Sequence, residues 1–189
     1  MIFKRCLLVL LLALVALPLT AWAVAKPLRL LTPELNGVSC FESVCVDDAT
    51  RMGEAKALYE SAHKHVSDKL TPLTGRPLMV FCSTTTCYQS FGGGAERAIT
   101  YPKLGSLIAP TSWEPHFARH ELIHALQAQE LGAVRMMREP AWFREGMAYS
   151  VSEPPSHDMP PQFEAYRVQY DSWVADFEAS ELWSASRKL

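Results

Sequence analysis

The chain has 189 residues, of which 49% are hydrophobic and 20% are charged, and its formal net charge is −2. This composition excludes a largely disordered chain, which would combine low hydrophobicity with high net charge. It also argues against a nucleic-acid-binding protein, which would need a basic excess, and a single long apolar run excludes a polytopic membrane protein.

The N-terminal segment has the pattern of a secretory signal peptide. Lys4 and Arg5 precede an almost uninterrupted apolar run that extends to Ala25. Small residues alternate at the end of the run, in the sequences AWA and AVA, which are typical of cleavage sites. We therefore predict that residues 1–25 form a leader that is removed on export to the periplasm or the extracellular space. The alternative is an uncleaved signal anchor, because the run is long enough to span a bilayer.

The use of cysteine agrees with export. After the leader, the chain keeps four cysteines in two C-x4-C pairs: Cys40, Cys45, Cys82 and Cys87. An even number of cysteines in an exported chain predicts disulfides. Three pairings are possible, and the two local pairs, Cys40–Cys45 and Cys82–Cys87, are the simplest. A zinc site at these cysteines is a weaker interpretation, because thiols oxidise outside the cytosol.

The residues after the leader, 26–189, are predicted to form a single domain. Residues 26–46 show no helical period and are interpreted as an extended lead-in with one strand at 28–31. Apolar residues then recur at spacings of three and four over 52–70, which predicts an amphipathic helix that ends before Pro72.

Two segments in the middle of the chain predict a small sheet. A short β-prone run at 78–82 follows Pro77 and is interpreted as a buried strand. The segments 98–101 and 106–109 flank a turn that contains Pro102 and Gly105, which predicts a hairpin.

Three further helices are predicted after the hairpin. The segment 116–131 is strongly helical, with Thr111 or Ser112 as its N-terminal cap. The next helix begins at a proline and covers 140–151, and a last amphipathic helix covers 163–177. Helices on one small mixed sheet correspond to an α+β fold.

The helix at 116–131 contains the motif H-E-x-x-H, from His120 to His124. At about 100° per residue, positions four apart differ by only about 40° around the helix axis. Both imidazoles therefore point the same way and can bind one metal ion. Glu121 flanks this face and can reach a water on the metal without being a ligand, while Leu122 and Ile123 are expected to face the core. The alternative is a surface helix with two hydrated histidines.

Glu145 is the candidate for a third ligand. It lies in the sequence W-F-R-E-G-M-A, in the middle of the next predicted helix. A catalytic zinc site uses three protein ligands and leaves one position open for water. Gly146 is unusual inside a helix, where it costs about 1 kcal/mol relative to alanine, so we expect two backbones to approach closely there. The alternative is a solvent-facing glutamate.

H-E-x-x-H followed by W-x-x-E-G-x-A, between His120 and Ala148, resembles the gluzincin metallopeptidases. These belong to the peptidase MA-like clan, which includes the M1 aminopeptidases. The twenty residues from Ala125 to Arg144 separate His124 from Glu145, a longer spacing than is usual in M1 enzymes, and the aminopeptidase signature G-x-M-E-N is missing. A small, stand-alone MA-like protease domain is therefore the closer comparison.

The resemblance implies a zincin-like fold, in which the edge strand of the sheet lies over the active-site helix and further helices follow. It implies that His120, His124 and Glu145 bind one zinc ion per chain. Glu121 is then the general base that activates a zinc-bound water. The last hairpin strand, at 106–109, would be the edge strand along which a peptide lies as an added strand.

Gluzincins often stabilise the oxyanion with a tyrosine or histidine from later in the chain. The candidates here are Tyr149, His157, Tyr166 and Tyr170, and no motif distinguishes them. Tyr166 and Tyr170 share a helix face with an aromatic neighbour, so packing in the core is the favoured interpretation for both. His116, one turn before the metal motif, is expected to be exposed or to line the cleft.

Together these patterns predict an exported zinc-dependent peptidase with peptide or protein substrates. The alternative is a non-catalytic binding module with the same zincin-like fold. Glu121 favours the peptidase, because a module that only binds has no need of a general base, while the small size slightly favours the module. No nucleic-acid partner is expected, and a membrane is involved only if the leader stays uncleaved.

Overall fold

The computed structural model of the protein describes Leu14, Ala16, residues 20–155 and residues 159–189. Most of the leader, 1–25, lies outside the described residues, so its removal stays a prediction. Within the described ranges, no helix has both the length and the apolar character needed to cross a membrane.

Five short strands form one mixed sheet. They are β1 (Ser39–Phe41), β2 (Val44–Val46), β3 (Met79–Phe81), β4 (Ala98–Tyr101) and β5 (Gly105–Ile108). Their order across the sheet is β1-β2-β3-β5-β4. The pairs β1/β2 and β4/β5 are antiparallel, whereas β2/β3 and β3/β5 are parallel. The mixed sheet and the helices that follow it confirm the predicted α+β class.

The predicted hairpin is present, but the assignment of its edge strand was wrong. The strand predicted at 106–109 corresponds to β5, which lies inside the sheet, where Leu107 pairs with Val80 on one side and Ile99 on the other. The edge strand is β4, which is half-buried, while every residue of β5 is buried. After β3, the chain first forms β4 at the edge of the sheet and then returns as β5 beside β3. Two parallel strands need a long connection between them, and β4 lies in the connection between β3 and β5.

Residues 26–46 differ from the predicted extended lead-in. The strand predicted at 28–31 is wrong, because Lys26–Leu31 and Pro33–Asn36 are short 3-10 helices, each with a proline in its first turn. Proline there fixes a helical φ without losing a hydrogen bond. The β1/β2 hairpin was not predicted, since strands of three residues give too short an alternation to detect.

Seven α-helices are described. They are α1 (Met52–Lys69), α2 (Thr85–Ser90), α3 (Pro115–Leu131), α4 (Ala133–Arg138), α5 (Ala141–Ser152), α6 (Pro161–Val174) and α7 (Leu182–Ser186). The four longest match the predicted helices. The predicted N-terminal cap of α3 was wrong, because Glu114 occupies the cap position and Pro115 is the first helical residue.

The alternation of side chains along the strands divides the core into two layers. One face of the sheet, which includes Val44, Phe81 and Ile108, packs against α1, α3 and α5. The other face, which includes Val80 and Leu107, packs against the N-terminal 3-10 helices and α2. The two layers follow from the two-residue period of a strand.

Both local disulfides are present, and both belong to the second layer. Cys40 pairs with Cys45 across the β1/β2 hairpin, and Cys82 at the end of β3 pairs with Cys87 in α2. Bridges of this kind persist in oxidising compartments, which indicates an exported protein.

Gly146 allows α5 and α6 to pack closely. A Cβ at Gly146 would clash with the carbonyl oxygen of Tyr166 and lie 2.8 Å from the Cβ of Tyr170. The predicted close approach of two backbones is confirmed, and it fixes the position of the helix that carries Glu145.

Candidate metal centre and cleft

Helix α3 carries two histidines that meet on one face. His120 and His124 are one helical turn apart, so their imidazoles project in the same direction. Their Nε2 atoms lie 3.1 Å apart, and their ring planes form an angle of 83°. Leu122 and Ile123 are fully buried, as predicted, and their packing fixes which face of α3 points away from the core.

Helix α5 brings Glu145 to the same point. Its Oε2 atom lies 3.5 Å from the Nε2 atom of His120 and 3.5 Å from that of His124. In a tetrahedral zinc site with bonds of about 2.1 Å, any two ligand atoms lie about 3.4 Å apart. The three residues therefore fit a metal ion of this size without rearrangement of the helices, and they form a possible metal site.

Glu145 and His124 shift each other's pKa values towards their charged forms. Burial raises the pKa of Glu145, but hydrogen bonds from His120 and His124 outweigh it and hold the pKa well below its usual range. Burial lowers the pKa of His124, but the hydrogen bond and charge of Glu145 outweigh it, and the net pKa is raised. The carboxylate thus stabilises positive charge between the three side chains, where a cation would lie.

The second oxygen of Glu145 is held from outside the centre. Arg144 donates a hydrogen bond from Nε to Oε1 of Glu145 over 3.1 Å. Because Oε1 is engaged in this way, Oε2 is the oxygen that faces the two histidines.

Glu121 lies beside the centre and is connected to the edge strand. Its side chain is buried, and its Oε2 atom accepts a hydrogen bond of 2.7 Å from the hydroxyl of Thr100 in β4. Thr100 is itself 2.7 Å from the hydroxyl of Ser106 in β5, which is fully buried. Thr100 therefore holds one carboxylate oxygen of Glu121 and is itself in contact with the neighbouring strand.

The three candidate metal ligands line a cleft of about 830 Å³. Strand β4 forms one wall, α3 forms the floor, and α5 and α6 form the opposite wall. The lining is largely apolar and aromatic and also includes charged residues. It includes Arg97, Phe117, Met136, Tyr149, Phe163 and Tyr166. His116 also lines the cleft and is mostly buried.

The candidates for oxyanion stabilisation lie in different environments. The ring of Tyr149 packs edge-on against His120, with 4.7 Å between the centroids. Burial, and then the charges of Glu145 and Glu121, raise the pKa of Tyr149 to about 12. Tyr149 is thus a neutral donor at ordinary pH.

The other two described candidates, Tyr166 and Tyr170, differ in whether they line the cleft. Tyr166 lines the cleft, so the prediction that it packs only in the core does not account for its position. Tyr170 is buried against Phe143 and Trp173, as expected of a core residue. His157 lies outside the described residues.

Gln127 and Thr100 contact residues of the candidate site but were not identified from the sequence. Gln127 contacts His124, and its position three residues further along the same helix face is a signal that could have identified it. Thr100 gave no comparable signal, because its contact with Glu121 depends on how the sheet packs against α3.

Comparison of the chain with protein-family models, with curated proteins and with solved structures finds no match. The assignment of a function therefore depends on the geometry of the site.

Proposed function

We propose that this protein is an exported zinc-dependent peptidase of the gluzincin type, with one zinc ion per chain. The observation that carries the proposal is the meeting of His120, His124 and Glu145 at one point of an open cleft, with Glu121 beside them. Structural zinc sites are closed by four protein ligands, whereas catalytic sites use three and leave a position for water.

The donor set supports zinc. Two imidazole nitrogens and one carboxylate oxygen are the ligands found in a major class of catalytic zinc sites. When bound, zinc would act as a Lewis acid that polarises a carbonyl group and lowers the pKa of water to about 7.

Glu121 supplies the acid–base chemistry in this proposal. Thr100 engages its Oε2 atom, so Oε1 accepts the proton of a water as that water attacks the scissile carbonyl. Glu121 then donates the same proton to the departing amine. Tyr149, which is neutral and adjacent to His120, is the hydrogen-bond donor for the negative oxygen that develops on the carbonyl carbon.

The shape of the cleft favours a peptide as the substrate. Strand β4 is at the edge of the sheet and lines the cleft, so an extended peptide can pair with its backbone as an added strand. The apolar and aromatic walls would contact the side chains of that peptide.

The test measures bound metal and peptide hydrolysis in the exported protein. We expect about one zinc ion per chain, lost or much weakened in Glu145→Ala, because two histidines alone make a poor site. Glu121→Gln should keep the metal and reduce hydrolysis of a peptide library by about 10²-fold to 10⁴-fold.

Two results would contradict the peptidase. If the protein loaded with excess zinc retains none, the histidines do not form a metal site. If zinc binds but Glu121→Gln and the wild type are equally inactive towards all peptides, the alternative of a non-catalytic binding module is supported.

A further inference from the structure

Gln127 is a buried amide whose two ends contact the two helices of the metal centre. It is only 1% exposed. Its Oε1 atom lies 2.9 Å from Nδ1 of His124, and its Nε2 atom lies 2.9 Å from the carbonyl oxygen of Arg144. Arg144 immediately precedes Glu145, so one side chain contacts one histidine ligand and the backbone beside the carboxylate ligand.

The contact with Arg144 fixes the orientation of the amide. A backbone carbonyl can only accept a hydrogen bond, so the NH2 group of Gln127 must face Arg144. The amide oxygen therefore faces His124, and this oxygen can only accept. Nδ1 of His124 must carry a hydrogen, which leaves the lone pair of a neutral imidazole on Nε2.

Nε2 is the atom of His124 that faces Glu145 and His120. The backbone carbonyl of one helix thus determines, through Gln127, which nitrogen of a histidine on another helix is available for the metal. Partners of this kind orient a ligand and raise its basicity.

We propose that Gln127 is a positioning residue that selects the metal-binding tautomer of His124 and holds α3 and α5 at the spacing the metal needs. This inference rests on the metal site of the proposed function, but not on peptide hydrolysis. Gln127 does not touch the substrate or the metal, since both ends of its side chain are engaged by the protein.

The opposing interpretation is that Gln127 only ties two helices together. Gln129 provides a control, because it lies on the same helix and connects α3 to the loop before β3. Its Oε1 atom accepts from the backbone N–H of Thr74 over 2.8 Å, and its Nε2 atom donates to the carbonyl of Pro72 over 3.3 Å. Gln129→Leu therefore removes a connection of similar form at a distance from the ligands.

The experiment compares Gln127→Leu, Gln127→Glu and Gln129→Leu in the full protein. Zinc affinity is measured by competition with a chelator, and stability by thermal unfolding. We expect Gln127→Leu to weaken zinc binding about 10-fold to 100-fold. Gln127→Glu should lose less affinity than Gln127→Leu, because its carboxylate still accepts from Nδ1 although it no longer donates to the carbonyl of Arg144. Gln129→Leu should leave zinc affinity unchanged, even if the unfolding temperature falls.

A second measurement is needed if Gln127→Leu fails to fold. This measurement does not require zinc. In proton–nitrogen NMR of the protein, the imidazole N–H of His124 should give a protected signal that persists in Gln129→Leu and shifts in Gln127→Glu. An Nδ1 that carries no hydrogen in the wild type would overturn the proposal.

The outcomes separate this inference from the proposed function. Equal zinc affinity in Gln127→Leu and Gln129→Leu would overturn the role of Gln127 in metal binding. Equal losses in Gln127→Leu and Gln127→Glu would overturn its selection of the tautomer of His124. The peptidase stands in both cases. Zinc binding that depends on Gln127 in a protein without peptidase activity would support this role and reject the peptidase.

Discussion

The carboxylates of Glu121 and Glu145, both in the cleft, each have one oxygen held by a neighbouring side chain. Thr100 holds Oε2 of Glu121, and Arg144 holds Oε1 of Glu145. A carboxylate with both oxygens free would rotate about its terminal torsion, which has a broad energy minimum. Fixing one oxygen therefore orients the other without a further side chain in the cleft.

Replacement of Thr100 by valine tests this arrangement at Glu121. Valine has nearly the same shape but donates no hydrogen bond, and a bond to a charged group contributes about 1.5 to 3 kcal/mol. We expect kcat to fall about 10-fold to 100-fold with zinc content unchanged, measured by peptide hydrolysis and elemental analysis. Thr100→Ser, which keeps the hydroxyl, should restore most of the activity. An unaltered kcat in Thr100→Val would show that Glu121 needs no such support.

The two helices that carry the candidate metal ligands, α3 and α5, are positioned by different kinds of contact. Buried leucine and isoleucine side chains fix the rotation of α3, whereas the absence of a side chain at Gly146 fixes the distance between α5 and α6. The first contact tolerates replacement by apolar residues of similar volume. The second tolerates no additional atom, because the obstructing group is backbone.

Gly146→Ala should therefore destabilise the protein, although alanine has the higher helix propensity. Alanine favours a helix by about 1 kcal/mol over glycine, but here its Cβ would clash with the carbonyl oxygen of Tyr166. We expect a net loss of about 1 to 3 kcal/mol in the free energy of unfolding, together with weaker zinc binding, since Glu145 is the adjacent residue. Chemical denaturation and chelator competition measure the two effects.

Gly53→Ala is the matched control. Gly53 lies in α1, and a Cβ there would have nothing within 4 Å. This variant should gain about 0.5 to 1 kcal/mol in unfolding free energy. If both variants are stabilised to the same degree, the close contact between α5 and α6 is not rigid.

Across the described part of the molecule, the sheet separates the disulfides from the candidate metal centre. Cys45, Cys82 and Cys87 pack in the layer on one face, and α3 and α5 pack on the other. The bridges close short loops near the N-terminal helices and α2. We therefore expect their contribution to stability to be independent of the contacts that position His120, His124 and Glu145.

Removal of either disulfide by paired replacement with alanine should lower the free energy of unfolding by about 2 kcal/mol, because each loop is short. Zinc affinity at a temperature well below the unfolding transition should be unchanged. The pair Cys40→Ala and Cys45→Ala is the cleaner test, since it leaves α2 intact. A large loss of zinc binding in the folded variant would show that the two layers are coupled.

The sequence alone predicted the parts of this protein that depend on local geometry. His120 and His124 are adjacent because the α-helix repeats every 3.6 residues, and the apolar period over 52–70 identified α1. The close contact at Gly146 was likewise predicted, because a glycine inside a helix indicates a special packing reason.

The tertiary structure decided the parts that depend on contacts between distant segments. The sequence could not show that β4 rather than β5 is the edge strand, because a hairpin has the same pattern whichever of its strands pairs with β3. For the same reason it could not show that Thr100 reaches Glu121 or that Gln127 reaches Arg144. Local periodicity determines which residues share a helix face, but only the packing of helices and sheet determines which faces meet.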